Sequence, residues 1–260
     1  MTQQIVHRHV FEQQDALLNE LFQQIAKVAD EAIRQHGKFR IVLAGGRTPE
    51  ALYKKLVHLD TDWNHWFIYF GDERCLPVDD PDRNDTMARV AWLNQVGIPP
   101  EQIFQIPAEL GAEQGAIHYR QTIATVVTFH LVLLGIGEDG HTASLFPGNE
   151  IGITTDSPDV LAVMNAPKPP PERISLSASR LSRSEHVWFL ATGVGKSKAL
   201  KMWDSGVGLP VSAITPFNGV DLYTDRPETM KINIEISVNT KILISIETRH
   251  QARIKQILKL

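Results

Sequence analysis

The chain has 260 residues, 43% of them hydrophobic, enough to bury one large core or two small ones. Its net charge is −4 with no long basic run, so it lacks the clustered basic face that nucleic-acid backbones require. One cysteine, Cys75, excludes an internal disulfide framework and a cysteine-rich metal site.

The opening "MTQQIVHRHVFEQQ" has no basic-then-apolar leader layout, and no apolar run approaches the roughly 20 residues of a membrane span. A cytoplasmic protein without nucleic-acid or membrane partners is expected, as a monomer or small homo-oligomer. From Phe11 to His36, apolar residues such as Leu17, Leu21, Ile25, Val28 and Ala32 recur at helical spacing, and Gly37 supplies a stop. "FRIVLAGG" then reads as a buried strand and "TPEALYKKLV" as a helix. The strand "WFIYFGDER" follows, with helices around "TMARVAWL" and "AEQGAIHYRQTIATVV". Next come the strands "HLVLLGIG", "VLAVMNA", "RISLSAS" and "HVWFLAT", and the helix "GKSKALKMW". After about Thr229, "KINIEI" and "KILISIE" read as strands and the end as a basic helix. Continuous apolar strands separated by amphipathic helices predict a doubly wound, mostly parallel α/β sheet with helices on both faces, in a single domain over residues 1–260. Ligands of such sheets bind outside the carboxyl ends of the strands.

The strand ends carry the candidates. In "LAGGRTPEAL", Gly45 and Gly46 allow a tight turn, Thr48 is placed to cap the next helix, and Arg47 adds a cation beside backbone amides suited to an anion. Neither G-x-G-x-x-G nor G-K-[ST] is present, so a dinucleotide or nucleoside triphosphate is not expected. Asp72, Glu73 and Arg74 directly follow a strand and so stand where the ligand crevice is expected. The acidic run Asp79, Asp80, Asp82, Asp85 lacks the residue order of a calcium loop and reads as a solvated loop.

The densest signal is "LLGIGEDGHTASLFPG". His141 stands there among glycines at a strand end, with Glu138 and Asp139 as candidate carboxylates to fix its tautomer for general-base work. No HExxH, HxxxH or cysteine pair surrounds it, so no metal or other cofactor is expected, and Ser144 is not in a GxSxG elbow. "PPPERISLS" places Arg173 at a strand start. "ATGVGKSKAL" places Lys196 in a helix's first turn, where a cation opposes the helix dipole unless an anion binds nearby.

Together, "LAGGRTPEAL", "GDERCLP", "LLGIGEDGHTASLFPG", "PPPERISLS" and "GVGKSKAL" resemble the 6-phosphogluconolactonase family in order and spacing, over roughly Ile41 to Asp225. The resemblance implies a fold like that of the glucosamine-6-phosphate deaminases and ribose-5-phosphate isomerases. It implies metal-free hydrolysis of 6-phosphoglucono-δ-lactone to 6-phosphogluconate, in the oxidative pentose phosphate pathway. It makes His141 the base and Asp139 its support, and places Arg74, Lys196 and Arg173 on the phosphorylated substrate, near Gly45, Gly46 and Thr48. Asp72 marks the rival reading. In the related amino-sugar-phosphate deaminases and isomerases an acid there transfers protons, but their turn typically runs "GHIAFNEP". A non-catalytic sugar-phosphate sensor would keep the anion loop and could lose the histidine. Two positions depart from the family: Arg47 and Arg83 stand where serine is common.

Overall fold

The computed structural model describes residues 4–226 and two later strands. In chain order come β1 (Val6–Val10), α1 (Gln14–His36), β2 (Phe39–Leu43), α2 (Arg47–Leu56), β3 (Trp66–Phe70) and β4 (Asp72–Arg74). They are followed by α3 (Asn84–Ala91), β5 (Ile103–Phe104), α4 (Ala112–Ile123), β6 (Phe129–Gly135), β7 (Val160–Val163) and β8 (Arg173–Leu176). Then come α5 (Ala178–Ser182), β9 (Ser184–Ala191), α6 (Ser197–Asp204), β10 (Val220–Thr224), β11 (Asn233–Ser237) and β12 (Lys241–Ser245).

Seven strands form one parallel sheet in the order β1-β10-β9-β6-β2-β3-β5. From β2 the chain winds outward through β3 and β5, then returns to the other side of β2 through β6, β9 and β10. The winding reverses between β2 and β6, and the crevice beyond their carboxyl ends is where this architecture opens a binding site. Phe129 to Leu134 of β6 are all buried, as are Ile41, Val42 and Leu43 of β2, because helices cover both faces of the sheet.

Two tyrosines brace the carboxyl ends. The Tyr53 hydroxyl, on α2, accepts from the Ala44 amide and donates to the Ala44 carbonyl, both at 2.9 Å. Tyr119, on α4, treats Phe70 the same way, at 3.0 and 3.1 Å. Helix α1 ends as its sequence predicts: Gly37 takes a left-handed conformation, φ 68°, and its amide bonds the Ile33 carbonyl at 2.8 Å.

Three expectations need correction. "WFIYFGDER" is two strands, because β4 leaves the parallel sheet and joins β8 and β7 in an antiparallel one. Gly71 joins the two layers, its amide donating to the Leu43 carbonyl and its carbonyl accepting from Leu176. Thr48 does not cap α2. Gly46, at φ 104°, holds the N-cap position, and Thr48 lies two residues inside, its hydroxyl 2.6 Å from that of Thr192. Asp85 does not belong to a solvated loop: it is buried in the first turn of α3 and pairs with Arg89 at 2.9 Å. The strands read after Thr229 are β11 and β12, which pair antiparallel with each other. The basic helix read at the chain's end lies outside the described residues.

Candidate active site

A cleft of about 750 Å³ opens over the carboxyl ends of β2, β6 and β9. Gly45, Gly46, Arg47, Thr48, Asp72, Arg74, His141, Arg173 and Lys196, widely separated in sequence, all line it. Asp139 stands behind His141.

The turn after β6 is shaped for that pair. Gly137 donates its amide to the His141 carbonyl at 2.8 Å, and Gly140, at φ 83°, donates to the Gly137 carbonyl at 3.0 Å. The loop so closed brings His141 Nδ1 to 2.5 Å from Asp139 Oδ1, and the Asp139 carboxylate also accepts the His141 amide at 3.3 Å. A carboxylate on Nδ1 makes that nitrogen the donor and leaves Nε2 as a lone-pair base. Burial holds His141 below the ordinary histidine range, while the hydrogen bond and charge of Asp139 pull the other way. Burial opposes ionisation of Asp139, yet its bond to His141 and the imidazole charge leave it below its ordinary value. Glu138 is not the partner. It lies against Gly195 and raises the proton affinity of Lys196.

Phe146 packs beside His141, ring centroids 4.8 Å apart, and the Arg173 guanidinium lies 5.8 Å from the same ring. Arg173, the first residue of β8, turns its guanidinium into the proline loop. Its Nε donates to the Pro170 carbonyl, and its Nη2 to those of Lys168 and Pro169, at 3.0–3.1 Å. Arg173 therefore shapes the loop that carries Lys168 into the cleft. The sequence reading does not single out Lys168, because a lysine in a proline loop carries no spacing signal. Asn84, Thr192 and Gln14 also line the cleft without having been singled out.

Arg74 Nη1 donates to the Asp82 carbonyl, and its Nε is buried without a protein acceptor. Lys196 does not sit inside its helix. It closes a short 3-10 turn, Val194–Lys196, at the N-cap position of α6. Burial lowers its proton affinity, as do Lys168 and Arg47 nearby, against Glu138 and Asp139. The cleft thus gathers Arg47, Arg74, Lys168, Arg173 and Lys196 in a chain of net charge −4. Asp72, on the same wall, has both carboxylate oxygens engaged: Ser144 Oγ donates to one at 2.6 Å and Asn84 Nδ2 to the other at 3.1 Å. Glu73, expected at the crevice, is turned inward and fully buried.

Comparison with known proteins bears on the family and the fold. The family model described as glucosamine-6-phosphate isomerases/6-phosphogluconolactonase matches residues 12–223. The chain is 33% identical over 229 residues to a 6-phosphogluconolactonase of Mycobacterium leprae, covering 83% of this chain and 92% of the relative. It superposes on a crystal structure of a 6-phosphogluconolactonase from Shewanella baltica with a TM-score of 0.73 at 27% identity, covering 86% of this chain and 98% of the other. A Thermotoga maritima 6-phosphogluconolactonase shares the fold, with a TM-score of 0.78 at 24% identity over 85% and 99% of the two chains. With its cleft at the winding reversal and its model match spanning most of its length, the chain belongs to the glucosamine-6-phosphate isomerase/6-phosphogluconolactonase family.

Proposed function

We propose that the protein hydrolyses 6-phospho-D-glucono-1,5-lactone to 6-phospho-D-gluconate, the lactone-opening step of the oxidative pentose phosphate pathway. The observation that carries the reading is the His141–Asp139 pair, set at the end of β6 inside a cleft lined by five cationic side chains.

In this reading Arg74, Lys196 and Lys168 hold the phosphate, with Arg47 and the Gly45–Gly46 backbone beside it. That anchoring places the C1 carbonyl near His141, an orientation effect. His141 Nε2 takes a proton from water as its oxygen bonds to C1, giving a tetrahedral oxyanion. Collapse breaks the C1 bond to the ring oxygen, and the imidazolium returns the proton to that leaving oxygen. Asp139 keeps the ring oriented and stabilises the imidazolium. The Gly137 amide is engaged with the His141 carbonyl, so it is not a donor to the oxyanion.

The amino-sugar-phosphate deaminase or isomerase alternative needs Asp72 as a mobile proton carrier. Hydrogen bonds from Ser144 and Asn84 to both its oxygens support a fixed, substrate-orienting role instead. A non-catalytic sensor has no use for an oriented His141–Asp139 pair. The whole chain is read as one such domain, working in the cytoplasm. No helix among the described residues is long and apolar enough to cross a membrane.

The test is a direct lactonase assay with spontaneous ring opening subtracted. Turnover well above that background is expected, and its absence in a folded preparation would overturn the assignment.

A further inference from the structure

Glu73 stands between two cleft residues, Asp72 and Arg74, yet it is fully buried and outside the cleft. Its carboxylate accepts three backbone amides: Arg74 and Asn84 on Oε1 at 2.8 Å, and Asp85 on Oε2 at 2.9 Å. Asn84 and Asp85 open α3, whose N-cap residue, Arg83, provides no side-chain cap. A carboxylate borrowed from a neighbouring strand therefore satisfies the orphan amides that a local serine or aspartate would otherwise take. Arg83 has gone inward as well. Its Nε lies 3.7 Å from Glu73 Oε2, its Nη1 bonds Glu109 at 2.9 Å, and its Nη2 donates to the Ile106 carbonyl at 2.9 Å.

The consequence reaches the cleft through one residue. Asn84 Nδ2 donates to the Asp72 carbonyl at 2.9 Å as well as to its carboxylate. On its other side, a Cβ placed on Gly45 would stand 2.0 Å from Asn84 Oδ1, so the amide side chain presses directly on the glycine loop. Resting on the lactonase reading above, we infer that Glu73, with Arg83 as its buried counter-charge, is a positioning residue for substrate binding. It fixes Asn84 against Asp72 and Gly45, and fixes the backbone of Arg74. The His141–Asp139 pair, by contrast, is held by its own turn on β6 and does not depend on this link.

That separation sets the test. Glu73→Gln, Glu73→Ala and Asn84→Ala are compared with the unaltered protein for KM and kcat on the phosphorylated lactone, and for Kd of 6-phosphogluconate by calorimetry. Glu73→Ala and Asn84→Ala should each raise KM and Kd about ten-fold or more, with kcat and its low-pH limb nearly unchanged. Glu73→Gln, which keeps one acceptor oxygen, should fall between. If Glu73→Ala does not fold, Glu73→Gln with Asn84→Ala decides. The double variant should lose less than the sum of the two single losses, because the Asn84 link is shared while the Arg74 amide is held by Glu73 alone. Additive losses would overturn the inference, as would folded Glu73 variants that lose thermal stability while KM and Kd stay at wild-type values. A wild-type protein that binds 6-phosphogluconate without turning over the lactone counts against the lactonase reading alone, because Kd still reports on Glu73. Failure of both binding and turnover in the wild type would overturn the two together.

Discussion

A Cβ on Gly137 would stand 2.0 Å from His141 Nδ1 and 2.6 Å from Asp139 Oδ1. The imidazole–carboxylate bond thus occupies the space that any side chain at position 137 would fill. Gly137→Ala should leave the sheet intact, because the residue lies beyond β6, and should push the pair apart. We expect kcat to drop by about two orders of magnitude, comparable to loss of a general base, with KM little changed. Thermal melting and steady-state kinetics on the same preparation check this, and a kcat near wild type would show that the pair tolerates displacement.

His141→Ala or His141→Asn should reduce kcat by roughly 10²–10⁴-fold, with product affinity retained because the cations that hold the phosphate lie elsewhere in the cleft. The wild-type rate should fall on the acid side, as protonation removes the base. Burial holds the imidazole below 6.5, so the midpoint of that limb should lie below 6.5 too. Asp139→Asn removes the charge that raises it most, leaving only the smaller pull of Asp72, so the limb should move to still lower pH while kcat falls. A pH–rate profile for the three proteins decides the matter, and an acid limb surviving in His141→Ala would assign it to another group.

Arg74→Ala, Lys168→Ala and Lys196→Ala should each weaken the phosphorylated lactone about ten- to a hundred-fold, the scale of a hydrogen bond to a charged group. Unphosphorylated gluconolactone should hardly respond. Equal losses on both substrates would place these cations at the lactone ring. Arg173→Ala should resemble Lys168→Ala, since Arg173 bonds the carbonyls that shape the loop beneath that lysine.

His130 gives a stability prediction with a defined sign. It lies in β6, where Nδ1 accepts the Arg40 amide at 2.8 Å. Burial, helped by the neighbouring charges of Arg40, His36, His186 and Lys38, drives its pKa down to about 4 from 6.5. The unfolded chain therefore binds a proton that the folded one refuses, and stability falls as pH drops from 6.5 toward 4. The slope approaches about 1.4 kcal/mol per pH unit for one proton. His130→Gln, which can still accept the Arg40 amide, should flatten urea midpoints measured between pH 7 and 5. An unchanged slope would point to other titrating groups.

Chelation should leave the rate untouched. Among the described residues, His36, His130 and Glu185 have ligand atoms within 4.8 Å of one another, but His130 and Glu185 lie near the amino ends of their strands, away from the cleft. A loss with EDTA that one divalent metal restored would sink this expectation.

Much of the frame was legible because burial on both faces leaves an unbroken apolar run, as in "FHLVLLG", that reads as a central strand. Edge strand β1 carries His7, Arg8 and His9 between half-buried valines, and β5 has two residues, so neither leaves such a trace. The departure of β4 was hidden because "WFIYFGDER" keeps strand chemistry through the break at Gly71. The site was legible where chemistry is local, as in Gly137, Asp139 and His141. It was illegible where a side chain acts across sheets: "DER" reads as one charged turn, whereas its outer two residues face the cleft and Glu73 turns back to cap a helix eleven residues on. Alternation along β4 is the signal that could have found it.

The paired bonds of Tyr53 to Ala44 and of Tyr119 to Phe70 grip the backbone where β2 and β3 leave the parallel sheet. Each of these strand ends is therefore rooted in a helix behind it as well as in its neighbours. Rim residues such as Arg47 can then vary during evolution without unseating the roots, and selectivity for the sugar can drift while the scaffold beneath stays rigid.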